Sequence, residues 1–184
     1  MANAARKRHM AQKVRHVLHG HVAGKRIAVL GLTFKAETDD MRDSPAIPFI
    51  ELLQRQGAEI HAYDPQGIEQ ARKVLRDISY HNDAYQCASE ADAVVFMTDW
   101  EVLKHIDLAR LAKVMKSPVM VDLRRIFQPE DAARQGFAVE TIGHTGLEPV
   151  YRHTSGSQFL VADIVAATQK AVSGEERMNG MEPA

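Results

Sequence analysis

A single cysteine, Cys87, stands among the 184 residues, so no disulfide can close within the chain and no cysteine-rich zinc site can be assembled. That usage fits a reducing compartment. Long hydrophobic runs are missing as well: the longest, such as Ala93 to Met97, are strand-length, and neither a membrane span nor a signal peptide is visible. A soluble, cytoplasmic protein is the expectation. Charge of one sign is not in excess, with 23 Lys and Arg against 24 Asp and Glu, which gives no reason to expect nucleic acid or an acidic membrane as partner. The nine histidines show no metal-ligand spacing, since His9 with His16, then His61, His81, His105 and the pair His144/His153, fall on different segments. Internal repeats are absent, and the length suits one ordinary domain with a tail.

What is present begins with GKRIAVLGLTFKAETDDMRDSPAIPFIELLQRQGAEIHAYDP, from Gly24 to Pro65. Arg26 to Leu32 is a short β-branched apolar run, as expected of a strand buried on both faces of a parallel sheet. Ser44 suits a helix N-cap and Pro45 the first turn. Ile47, Ile50, Leu53 and, less regularly, Leu52 return at helical spacing, and Gly57 closes the segment. Glu59 to Asp64 reads as a second strand ending in an Asp-Pro turn. The order is that of a βαβ unit.

A dinucleotide fold would place G-x-G-x-x-G in the first loop, where glycines let backbone amides approach a pyrophosphate. Only Gly31 is found there. Lys35, Glu37, Asp39, Asp40, Arg42 and Asp43 fill the loop instead, so a bound phosphate would be held mainly by side-chain cations.

Further along, helices are predicted over Gly67 to Leu75, Asp83 to Ser89, Asp107 to Met115 and from Pro129 to near Gly136. Strands are predicted over Ala93 to Thr98, Val119 to Leu123 and Phe137 to Ile142. Strands alternating with helices imply parallel pairing through right-handed crossovers. The fold class is therefore α/β, a doubly wound, mostly parallel Rossmann-like sheet of about five or six strands with helices on both faces. From His144 the pattern lapses into a turn-rich linker, followed by an apolar helical stretch over Phe159 to Val172 and a disordered tail. The domain plan is an N-terminal helix (1–23), an α/β domain (24–143) and the linker, helix and tail (144–184). Ligands of such sheets sit beyond the carboxyl ends of the strands. Lys35, Arg42, Asp64, Asp122 and Arg124 should gather there.

Several separated motifs resemble one family. GLTFKAETDDMRDSP is similar to the signature that opens the C-terminal domain of the UDP-glucose/GDP-mannose dehydrogenases, and AYDP (62–65), ADAVVFMTDW (91–100), PVMVDLRRIF (118–127) and GFAVETIG (136–143) follow in the family's order. NAARKRHMAQKV resembles the end of the helix that precedes this domain. The resemblance implies a nucleotide-sugar-binding domain of an NAD-dependent enzyme, most like the UDP-glucose 6-dehydrogenase branch, which oxidises UDP-glucose to UDP-glucuronate while two NAD are reduced. It implies that Phe34, Lys35 and Arg124 bind the nucleotide-sugar and that Arg42 reaches toward NAD, which is held mainly by a domain absent from this chain. No catalytic residue is assigned here. The family's reactive cysteine belongs to a glycine-rich motif upstream, whereas Cys87 lies in AYQCASEAD with no neighbouring base and reads as a packing residue. The isolated chain is expected to be inactive. Ala36-Glu37 stands where the glucose branch usually has Pro-Asn, and Arg125 where it usually has Asn.

Alternatives stay open at this point. Arg42, among Asp39, Asp40 and Asp43, could serve a structural ion pair; Asp64 could be a ribose-binding acid or only a turn residue; Trp100 could edge the cleft or pack in the core. The chain could also be a stand-alone, non-catalytic nucleotide-sugar-binding or regulatory module. Met10, Val14, Val17 and Leu18 form an apolar stripe on the first helix. It should fold back on its own sheet or pair with a second copy, pairing being slightly favoured; a homo-oligomer or association with the missing domains is the expected assembly.

Overall fold

Alternation of apolar residues to two sides makes β1 (Arg26–Leu30) the centre of the molecule, because Ile27 and Val29 face one layer of helices and Ala28 and Leu30 the other. The computed structural model describes residues 10, 12–141 and 144–147. β2 (Glu59–Tyr63) and β4 (Ala93–Phe96) flank β1 in parallel, with Leu30 level with both Tyr63 and Phe96. β3 (Ile78–Tyr80), β5 (Val119–Asp122), β6 (Ala138–Thr141) and β7 (His144–Leu147) complete a seven-stranded sheet in the order β3-β2-β1-β4-β5-β6-β7. The first six strands are parallel, and β7 runs antiparallel to β6.

One face is covered by helix α1 (residues 12–17) and α2 (Ala46–Arg55). Met10, Val14 and Leu18 meet Phe49, Ile50 and Leu53 over Ile27, Val29, Val95 and Val121. α3 (Ile68–Val74) adds Ala71 to the same core. The other face carries α4 (Ala84–Ala88), α5 (Glu101–Lys104), α6 (Leu108–Val114) and α7 (Pro129–Arg134), which bring Cys87, Leu103, Leu111 and Ala132 onto Leu30, Val94, Phe96 and Met120. α2 buries Ala46, Phe49, Ile50 and Leu53, a single stripe at helical spacing, so Phe49 takes the inward place that periodicity gave to Ile47. Local caps act as the residue types suggest. Asp83 accepts from the Tyr85 and Gln86 amides and Asp107 from that of Arg110, while Ser44 Oγ accepts from Ala46 N at 3.1 Å.

The structure corrects three expectations. The stripe on α1 is already covered within the chain, Val14 being fully buried, so pairing with a second copy is not needed to hide it. Burial inside one chain gains the same transfer energy without the entropic cost of association. Lys13 on α1 also forms a buried ion pair with Glu140 on β6. Second, β3 and α5 are elements that the apolar pattern did not reveal: β3 is a three-residue edge strand and α5 a single turn. Third, residues 144–147, expected as linker, form β7. The helix expected over Phe159 to Val172 and the tail after it lie outside the described residues. Among the described residues, no helix is long and apolar enough to cross a membrane.

Candidate functional site

The strand order reverses between β1 and β4, so the loops leaving their carboxyl ends diverge and leave a crevice. The β1 loop enters it through Gly31, whose φ is +88° and where a Cβ would lie 2.6 Å from Thr98 Cβ. The one glycine of this loop thus serves a close approach of β1 to β4 rather than a phosphate cradle. From there Thr98 Oγ1 donates to the Thr33 carbonyl at 3.0 Å, and the Phe34 amide donates to the Asp40 carbonyl at 2.9 Å, closing residues 34–40 into a compact loop. Phe34 is 52% exposed at its tip and Lys35 is exposed beside it. An aromatic ring half in water thus stands next to an exposed cation.

Arg124 leaves the end of β5, one strand beyond β4. Its Nη2 donates to Asp99 Oδ1 at 2.8 Å, and this hydrogen bond holds the Asp99 carboxyl below the usual carboxylate range. Asp122, placed among the cleft groups by its position in the sequence, is instead fully buried. Its oxygens accept from the Arg124 and Phe127 amides at 3.0 Å each, and burial raises its pKa. It shapes the turn that presents Arg124 and does not itself face the cleft. Arg125 sits in the left-handed region at φ +55°, and Glu37 does the same at +58°.

Arg42 is not a free cation. Its Nε and Nη2 donate to the two oxygens of Asp40 at 2.9 and 2.8 Å, and the pairing draws Asp40 down to about 2. The arginine remains exposed, on the rim of an open groove of about 520 Å³ between this loop and α3, lined also by Asp39, Met41, Ile47, Gln70 and Val74. Neither Lys35 nor Arg124 lines that groove. Phe34 and Lys35 are exposed on the loop after β1, and Arg124 is exposed just after β5.

Asp64 and Trp100 are placed differently from either reading of them as cleft residues. Asp64 is 1% exposed and Trp100 2%, and the indole Nε1 donates to Asp64 Oδ2 at 3.2 Å. A ribose-binding acid needs free oxygens facing the ligand; those of Asp64 are occupied by backbone amides. With no glycine-rich loop and no such acid, the crevice of this chain does not fit a dinucleotide by itself. Cys87 is fully buried with its thiol pushed up by desolvation, so it has no nucleophile character. His61 and His81, separate in sequence, are brought to 2.8 Å between Nδ1 and Nε2 by the pairing of β2 with β3. Among the described residues no group of three His, Cys, Asp or Glu could hold a metal ion.

The model of the UDP-glucose/GDP-mannose dehydrogenase family, UDP binding domain, matches residues 28–129. The UDP-glucose 6-dehydrogenase of Rhizobium meliloti (strain 1021) is 47% identical over 141 residues, covering 77% of this chain and 32% of that protein. Among solved structures, a UDP-glucose dehydrogenase from the hyperthermophilic archaeon Pyrobaculum islandicum superposes with a TM-score of 0.56 at 32% identity, covering 63% of this chain and 25% of the other. A UDP-D-ManNAc dehydrogenase from Pyrococcus horikoshii gives 0.63 at 28% identity, over 74% and 30%. The chain spans about a third of the length of the curated relatives it matches.

Proposed function

Since the chain belongs to the UDP-glucose/GDP-mannose dehydrogenase family as its UDP binding domain, we propose that it is the nucleotide-sugar-binding part of an NAD-dependent UDP-glucose 6-dehydrogenase. The observation that carries this reading is the exposed pair Phe34 and Lys35 on a loop tied to the segment after β4 by Thr98, next to which Asp99 holds Arg124. Lys35 supplies a mobile point charge to the diphosphate and Arg124 a planar fork to phosphate or sugar oxygens. Phe34 offers its ring to the sugar or nucleoside. Holding the diphosphate far from the reacting carbon lets remote binding energy orient the sugar. NAD, held mainly by a domain outside this chain, would supply the hydride acceptor; the exposed Arg42 is the group this chain offers toward it. The setting is cytoplasmic and the assembly a homo-oligomer or a union with the NAD-binding and central domains. Residues 24–143 would form the binding domain.

Calorimetric titration of the chain with UDP-glucose, UDP, GDP-mannose and NAD tests the reading. UDP-glucose and UDP should bind, and Lys35→Ala or Arg124→Ala should weaken them by about ten- to a hundredfold, the loss of one charge-assisted contact. Unchanged affinity in both variants, or no binding by the parent chain, would overturn it.

A further inference from the structure

Five N–H groups from three loops converge on one buried carboxylate. Asp64 Oδ2 accepts from Leu32 N at 2.6 Å, Thr33 N at 3.2 Å and Trp100 Nε1 at 3.2 Å; Oδ1 accepts from Gln66 N at 3.0 Å and Gly67 N at 2.6 Å. The Thr33 hydroxyl lies 3.3 Å from Oδ2 and 3.0 Å from the Lys35 carbonyl, so its one proton is shared between the carboxylate and the tip of the loop. Gly67 is drawn so close that a Cβ there would lie 2.4 Å from Thr33 Cγ2. Among the described residues no cation pairs with Asp64.

We infer that Asp64 is a positioning residue for nucleotide-sugar binding: through neutral, directional donors it sets the β1 loop bearing Phe34 and Lys35 against the β4 loop whose Asp99 holds Arg124. The inference rests on the reading above, that Phe34, Lys35 and Arg124 receive the ligand. Its physical basis is reach. Residues 34–40 close on themselves, so the orientation of the whole loop is decided at its base. The Leu32 amide there is fixed by Asp64, and the Leu32 carbonyl accepts from Ser44 Oγ. Trp100 carries the same hold to β4, where Asp99 is the preceding residue. One carboxylate thereby fixes the spacing between the two cationic groups, which a diphosphate must bridge. A backbone amide has a single direction of donation, so this hold specifies geometry more narrowly than an ion pair to a flexible lysine would.

The full chain is compared with Asp64→Asn, Thr33→Val and Trp100→Phe, with Leu111→Val on α6, which makes no hydrogen bond to Asp64, as a control for general loosening. Amide hydrogen exchange is followed residue by residue, and UDP affinity by calorimetry. Asp64→Asn turns an amide NH₂ toward N–H donors and should accelerate exchange over residues 32–43 most. Should it fail to fold, the two milder variants carry the test. Each should accelerate exchange in residues 32–43 or 98–100 by about tenfold, the loss of one hydrogen bond, and lower UDP affinity by a similar factor. Leu111→Val should do neither selectively. Exchange that is unchanged, or that rises uniformly across the sheet as in the control, would overturn the inference, as would unaltered UDP affinity in all three variants. A parent chain that does not bind UDP would overturn the functional reading instead, while the exchange pattern still decides whether Asp64 sets the loop.

Discussion

Asp64 and Asp122 are the same residue type at the same place, the carboxyl end of a parallel strand, and both are buried. Asp122 serves its own turn: its partners are the amides of Arg124, Arg125, Ile126 and Phe127, two to five residues on. Asp64 collects Gln66 and Gly67 in the same local way but also Leu32, Thr33 and Trp100, more than 30 residues distant. The contrast separates two jobs of a buried carboxylate. One shapes a turn and presents a side chain; the other sets several loops against each other. Burial alone does not tell them apart, because the difference lies in where the donors come from.

Removing each carboxylate should separate the two by the largest margin. Asp64→Ala leaves five N–H groups to find other partners and should cost roughly 4 kcal/mol or more, whereas Asp122→Ala disturbs one turn and should cost roughly 2 kcal/mol. Urea unfolding followed by circular dichroism measures both, and equal losses would erase the distinction.

Acid titration sharpens the comparison within the β5 loop and has a smaller effect. Burial raises the pKa of Asp122, so above the ordinary value of 3.8 the folded state still holds a proton that the unfolded state has released. Stability from this group is therefore lost as pH rises through that window toward the raised value. Asp99 has the opposite sign, because the Arg124 hydrogen bond lowers its pKa; its contribution is present above the unfolded value and lost as pH falls through the folded one. Asp122→Asn should flatten the first slope and Asp99→Asn the second in stability curves between about pH 2 and 6. Matching slopes in the two variants would contradict these assignments.

The smallest effect is expected from backbone strain in the same two loops. Glu37 and Arg125 hold left-handed conformations that asparagine or glycine adopts more readily. These are the positions where the glucose branch of the family usually has Asn, so the departures in this sequence fall on strained backbone. Glu37→Asn and Arg125→Asn should each raise stability by about 0.5–1 kcal/mol, read as a higher urea midpoint with unchanged slope. A fall in stability for either would mean that its side chain contributes more than the strain removes.

Much of this architecture was legible along the chain. β1, β2, β4, β5 and β6 and the helices between them, apart from the single turn α5, follow from apolar runs, caps and Pro-Gly punctuation, all of which act within one or two turns of chain. β3 was hidden because a three-residue, half-buried edge strand has too little pattern to read. Phe34, Lys35 and Arg124 stand out through motif order, and their exposure emerges only from the fold. Arg42's attachment to Asp40 was only one of two readings, since their spacing allows a fork but does not require it.

What the sequence by itself determined is local: which segments become strands and helices, that the sheet is parallel and doubly wound, and that the first loop lacks the glycines of a dinucleotide site. Tertiary structure decided the rest. It laid α1 over its own sheet and joined Lys13 to Glu140 across 127 positions, stacked His61 beside His81, and gathered on Asp64 donors from three loops. The physical reason is range. Periodicity and capping depend on neighbours along the chain, while a carboxylate is satisfied by whatever donors folding brings within about 3 Å, and no pattern in the chain records which those will be.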